Sequence, residues 1–159
     1  SEEDREGLPA IEPYRLLLVA TPDDGRAAIV LDGVERLEEI PANHVENMGR
    51  HEVVQYRGNV MDVVWLSRVL KERRVRAHRG QLGERPRDPL HVVVHHHEDH
   101  FAGIVVDEVI DIVEHTLEER LPARRLGVVF SVLIRDRVTE VIDTDWVIRH
   151  SQHDGSTDG

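Results

Sequence analysis

Between His91 and His100 the chain sets His91, His95, His96, His97, Glu98, Asp99 and His100 close together. Imidazole nitrogens and carboxylates are the usual ligands of a divalent ion. Alternate residues of a strand face the same side, so His95 and His97 could share one metal, with His100 reaching across a hairpin. A structural zinc site also draws convergent ligands from a second element, and solvated strand-end histidines are the simpler reading. A phosphoacceptor role fits poorly, because such histidines sit on exposed helices and these lie in a β pattern. No Ser/His/Asp order, glycine-rich phosphate loop or paired-carboxylate pocket stands elsewhere, and Gly33 or Gly103 alone carries no catalytic meaning. The pattern implies no cofactor. A metal-binding β protein remains the chemical alternative, and zinc or nickel titration separates it from the rest.

The elements that position this cluster belong to an internal repeat. Residues Ala27 to Glu39 align with Ala102 to Glu114 at a spacing of 75, and six of the thirteen positions are identical. A second match follows in the same order at a spacing of 78: Arg57 with Arg135, Val60 with Val138, Val63 with Val141 and Val69 with Val147. The chain reads as two related small units in tandem. Duplicated β units of this size more often present surfaces to partners than enclose a catalytic centre.

Composition narrows the class further. With 159 residues, 40% hydrophobic and 32% charged, the chain can bury one sizeable core or two small ones. The absence of cysteine excludes disulfide frameworks and thiolate zinc sites and suits a reducing compartment. A net charge of −11 opposes approach to nucleic acid or an anionic membrane, and no basic stripe with interleaved aromatics offsets it. No apolar run approaches the ~20 residues that span a bilayer. The expectation is a cytoplasmic protein with neither nucleic-acid binding nor direct membrane insertion.

Turn chemistry and hydrophobic period divide the chain. Residues 1–13 read as a flexible lead-in, and Ser1 in place of an initiating Met suggests an excised fragment or a cleaved tag. Tyr14 to Ala20 is a strand, followed by the turn Thr21-Pro22-Asp23-Asp24-Gly25. Val34, Leu37 and Ile40 are expected to pack inward. Glu52 to Arg57 and Val60 to Trp65 flank Gly58-Asn59 as a hairpin. Arginine-rich residues 71–89 read as a linker. His91 to His97 and Phe101 to Val106 form a hairpin over Glu98-Asp99, and Val128 to Ile134 and Val138 to Ile142 another over Arg135-Asp136. Asp143 or Thr144 can cap a short closing helix through Ile148, and residues 150–159 read as a disordered tail. The pattern predicts an all-β fold of two small barrels, the first mainly 14–70 and the second mainly 90–149, with strand exchange between them possible.

Four ordered stretches, Val34 to Pro41, His51 to Gly58, Phe101 to Glu114 and Ile134 to Asp143, resemble the CheW-like domain of bacterial chemotaxis. The wording Glu52-Val53-Val54-Gln55-Tyr56-Arg57-Gly58 is more similar to the C-terminal regulatory domain of the histidine kinase CheA than to the free-standing coupling protein CheW. The resemblance implies two tandem SH3-like five-stranded barrels with short helices. It also implies a noncatalytic docking role among chemoreceptor tips, kinase and coupling protein, with any kinase catalytic domain outside this fragment. The partners it implies are a CheW-type coupling protein or CheA kinase and the cytoplasmic tip of chemoreceptors in membrane-bound arrays. Arg57 and Gly58 fall near the family's receptor-contacting groove, with Leu37 and Glu39 on the neighbouring strand. Val60 and Met61, with Leu126 and Val128, are the candidates for the coupling-protein interface. The departures at Asp62, Trp65, Phe130 and Asp136 touch strand edges and bear on partner choice rather than on the fold.

Overall fold

The computed structural model describes residues 13–70 and 88–156. The expected lead-in before residue 13, the linker through residue 87 and the last three residues of the tail lie outside the described residues. The first half supplies β1 (Tyr14–Ala20), β2 (Arg26–Val30), β3 (Val34–Ile40), β4 (Glu46–Met48), β5 (His51–Tyr56), β6 (Asn59–Trp65) and a one-turn helix α1 (Leu66–Val69). The second supplies β7 (Leu90–His97), β8 (His100–Val106), β9 (Glu108–His115), β10 (Arg120–Leu121), β11 (Val128–Ile134), β12 (Arg137–Ile142) and α2 (Thr144–Ser156). The closing helix runs past Ile148 to Ser156, so the chain is helical where the sequence suggested that a disordered tail begins. Its start matches the cap signal: Asp143 Oδ1 accepts from the Trp146 amide at 3.0 Å.

The two halves exchange hairpins. One sheet has the order β10-β11-β12-β2-β1-β9 and the other β3-β7-β8-β6-β5-β4. Each therefore joins the first hairpin of one half to the last four strands of the other, and the boundary between barrels does not fall at the linker. The reason is local. Only Asp107 separates β8 from β9, too little chain for a hairpin, so β9 leaves in a new direction and pairs antiparallel with β1. β3, three residues after β2, likewise leaves its predecessor and pairs antiparallel with β7. Each sheet also carries six strands rather than five, the sixth being the short edge strand β4 or β10.

Side chains close each curled sheet into a small barrel. Tyr56 Oη on β5 donates to Glu38 Oε2 on β3 at 3.3 Å, across strands that are not neighbours in the sheet. Arg135 Nη2, in the β11–β12 turn, reaches Asp111 Oδ2 on β9 at 2.7 Å.

Among the described residues apolar side chains form three clusters. Leu16, Leu18, Ala28, Val132, Ile134 and Val141 fill one barrel, and Val54, Tyr56, Met61, Val92, Val94 and Val105 fill the other. The third cluster lies between them, where Leu17, Val19 and Ile29 of one central hairpin meet Val93, Ile104 and Val106 of its counterpart. This explains why Leu16-Leu17-Leu18-Val19 is continuously apolar instead of alternating: one face of β1 lines its own barrel and the other faces the second barrel. Helices α1 and α2 seal the central cluster with Leu66, Val69, Val147 and Ile148.

Gly127 sits at the seam with φ +91, and a Cβ there would lie 2.6 Å from Leu70 Cδ2 and 3.1 Å from the Trp146 ring. Alanine at this position meets both a left-handed backbone and a filled space. Gly127→Ala is expected to lower unfolding free energy by ~2–4 kcal/mol, read from the urea midpoint at unchanged m-value.

Candidate docking surfaces

A groove of about 400 Å³ lies between the barrels. Its floor is Leu17, Val93 and Val106 of the central strands, and its walls carry Leu37 on β3 and Val109 on β9. The walls are related by the repeat. Each is an edge strand with a β-bulge at the equivalent place, Glu35 being skipped opposite β7 and Ile110 opposite β1. The bulges bend both strands away from their sheets and open the space between them.

Leu37 was expected to pack inward, yet it is 44% exposed. Its strand has a neighbour on one side only, and its side chain overhangs the groove instead of entering a core. The counterparts at 75 residues' spacing, Ile112 for Leu37 and Val109 for Val34, were not singled out from the sequence, although the repeat marks them. Glu38 and Glu39 stand on the same wall, and His91 Nδ1 lies 3.9 Å from Glu39 Oε2.

Arg57 and Gly58 form the β5–β6 turn itself, with φ of 53 and 80. The hairpin connection is thus Arg57-Gly58 rather than Gly58-Asn59, and Asn59 pairs with Tyr56 inside the ladder. The Arg57 guanidinium lies over the Tyr56 ring, 5.3 Å from its centroid. Tyr56 is anchored by an edge-to-face contact with Phe101 at 5.7 Å and by its hydrogen bond to Glu38. Glu38 also takes an ion pair from Arg36 Nε at 3.3 Å. Burial and the Glu38 carboxylate push the Tyr56 phenol above its ordinary range, while Arg57 and Arg36 pull it back. Arg57, Arg36, Tyr56 and Glu38 therefore share one charged cluster.

The barrel-end candidates divide. Val60 and Leu126 are exposed, at 51% and 74%, as an interface residue must be. Met61 and Val128 are not: Met61 is 1% exposed inside its barrel, and Val128 is 8% exposed in the central cluster. The correction follows from strand geometry, since Val60 and Met61 are neighbours on β6 and must point to opposite faces. Two apolar residues missed from the sequence belong with Val60. Leu133 and Val138 pair across β11 and β12 and are both about half-exposed. Val138 is the repeat counterpart of Val60, a signal already present in the spacing of 78.

The histidines do not converge. His95 is buried, with Nε2 3.5 Å from Thr144 Oγ1 on α2, and His97 Nδ1 lies 3.3 Å from Asp145 Oδ1. His100 is exposed at the far end of the hairpin, paired with His97 in the ladder. Among the described residues no three histidines and carboxylates are grouped to hold a metal ion.

Burial pushes the His95 imidazole below its ordinary value, against the pull of Asp145. The unfolded chain therefore binds this proton first on acidification. Stability is fully present above the unfolded pKa of ~6.5 and falls as pH drops through it toward the folded value. The expected result is a urea midpoint that declines from pH 7.5 to 5.5, with a shallower decline in His95→Gln.

Paired SH3-like barrels whose exposed features are an apolar groove and apolar barrel ends define a protein–protein docking module. The family description for the CheW-like domain matches residues 15–152, and the chain belongs to that family. Membership of that family supports a coupling and docking role in chemotaxis signalling rather than a catalytic one. Among solved structures it is similar to the scaffolding protein TtCheW from Thermoanaerobacter tengcongensis. That match has a TM-score of 0.64 and 12% identity, and it covers 82% of this chain and 84% of that one. No curated protein sequence matches the chain. Among the described residues no helix is long and apolar enough to cross a membrane.

Proposed function

We propose that the chain is a regulatory and docking domain that couples a chemotaxis histidine kinase to a CheW-type coupling protein and to the cytoplasmic tips of chemoreceptors. It works in the cytoplasm, held at membrane-bound receptor arrays through protein contacts. The observation that carries this reading is the division of exposed apolar surface in a CheW-like chain. One set is Leu37 and Val109, which line the inter-barrel groove, with Ile112 on the β9 wall strand opposite Leu17; the other, Val60, Leu133 and Val138, lies on the outer hairpins. Two separate surfaces let one molecule hold two partners at once. The groove, with Leu37, Glu39 and the nearby Arg57-Gly58 turn, takes the receptor, and the outer hairpins, with Leu126, take the coupling protein.

Control of the kinase then requires only that the partners fit one orientation of the assembly better than another, since a partner shifts a population by its differential affinity. A free-standing CheW-type adaptor is the second reading, since the chain's fold is similar to that of the scaffolding protein TtCheW. An ATP-binding kinase domain upstream in the native gene decides for the first reading, and its absence for the second.

Titration calorimetry of the intact chain against the coupling protein tests the surface assignment. Val138→Glu is expected to weaken that affinity by roughly 10- to 100-fold while receptor binding is retained, because it places a charge at the centre of a desolvated apolar patch. Equal loss for both partners would show that the surfaces are assigned wrongly.

A further inference from the structure

We infer that Arg57 is one half of a carboxylate-recognition site, whose other half is an aspartate or glutamate side chain brought by the docking partner. The inference rests on the reading of this hairpin as part of a docking face and adds the chemistry it selects.

The molecule contains its own comparison. Arg57 and Arg135 occupy the first position of the β5–β6 and β11–β12 turns, 78 residues apart, and both have φ of 53. The same side chain thus leaves the same left-handed backbone in each barrel. In one barrel Arg135 Nη2 meets Asp111 Oδ2 at 2.7 Å, and that guanidinium holds the Asp111 carboxyl below its usual range. The repeat counterpart of Asp111, 75 residues earlier, is Arg36. Where one barrel supplies the arginine with an acid, the other supplies a second cation.

Arg36 is satisfied by Glu38 at 3.3 Å, and Glu38 also accepts from Tyr56. Arg57 has neither: it is exposed, rests on the Tyr56 ring, and has no carboxylate partner among the described residues. The platform beneath it is fixed by Phe101 and Glu38. The approach is open, since a Cβ on Gly58 would meet nothing within 4 Å. A guanidinium held over the face of an aromatic ring, its Cζ 5.3 Å from the centroid, keeps outward N–H groups free for the fork that matches a carboxylate, and the ring limits the rotamer freedom lost when one binds. In a chain of net charge −11, long-range attraction does not gather acidic partners, so selection falls to this short-range bidentate contact.

The test follows the arginine Nε–Hε NMR signals of the intact chain during titration with an end-blocked helical peptide of alanine and leucine carrying two glutamates four residues apart. A twin with glutamine in both places is the control. The glutamate peptide is expected to shift Arg57 saturably and to bind about tenfold more tightly than its twin, with Arg135 unmoved. Arg57→Gln removes the difference between the twins without affecting the melt. Asp111→Asn releases Arg135, which then responds to the glutamate peptide as well.

Equal binding of the twins, or an Arg135 response equal to that of Arg57 in the unaltered chain, would overturn the inference. Displacement of the peptide by an equal concentration of sodium acetate would overturn the assignment to a protein side chain. The docking reading is separable. If a chemoreceptor fragment loses binding with Leu37→Asp but not with Arg57→Gln, the carboxylate site fails and docking stands; selection of the glutamate peptide without any receptor binding gives the reverse.

Discussion

Met61→Glu leaves no cooperatively folded protein, whereas Val60→Glu, one residue away, melts like the unaltered chain. Met61 is 1% exposed and packs so closely beneath β8 that its Cε lies 3.0 Å from where a Gly103 Cβ would stand. A carboxylate there has no partner, and an uncompensated buried charge costs ~3–5 kcal/mol or more. Lost packing of the methionine side chain adds to that, against a total stability of ~5–15 kcal/mol for an ordinary domain. Val60 points the other way and is about half-exposed, so its replacement stays within ~1 kcal/mol. Circular dichroism melts of the two variants side by side check the strand register as well as the burial.

The second large effect is on binding without loss of the fold. Leu37 and Ile112, 44% and 42% exposed, are repeat counterparts on the two strands that wall the groove. Their outward parts contribute little to the cores, but they are the apolar groups a partner seated between the barrels would desolvate. Central apolar anchors of interfaces contribute ~2 kcal/mol or more each, so Leu37→Asp with Ile112→Asp should weaken binding of a cytoplasmic chemoreceptor fragment by at least ~100-fold. Calorimetry reads the affinity, and an unchanged melting curve shows that the loss is local.

Much of this architecture is written in local signals. The hairpins over Thr21 to Gly25, Glu98-Asp99 and Arg135-Asp136 stand where their turn residues demand, and Asp143 caps the closing helix as its oxygen allows. The bulges at Glu35 and Ile110 fall at positions that the repeat relates. Strand exchange is a different kind of fact, because a repeat shows that two segments are alike and not which sheet each one enters. For β9 the single residue after β8 rules out a hairpin, and its effect appears only once strand ends are fixed.

The candidate site was less legible for two physical reasons. Leu37 follows the hydrophobic period of a buried residue, but an edge strand over a groove leaves that face partly open. Met61 and Val60 belong to opposite faces of β6, as the period of two of a strand requires, so only Val60 is open to a partner. The fate of the histidines rests on contacts between distant parts of the chain, Thr144 with His95 and Asp145 with His97, which no spacing within the cluster reveals.

Coupling itself is tested most directly by sedimenting receptor-bearing membranes with the intact chain and the coupling protein together. The expected result is that the chain pellets with the membranes and carries the coupling protein down with it. The receptor step should be lost in Leu37→Asp with Ile112→Asp, and the coupling-protein step alone in Val138→Glu. A chain that stays in the supernatant, or that pellets while leaving the coupling protein behind, would contradict a docking domain with two separate surfaces.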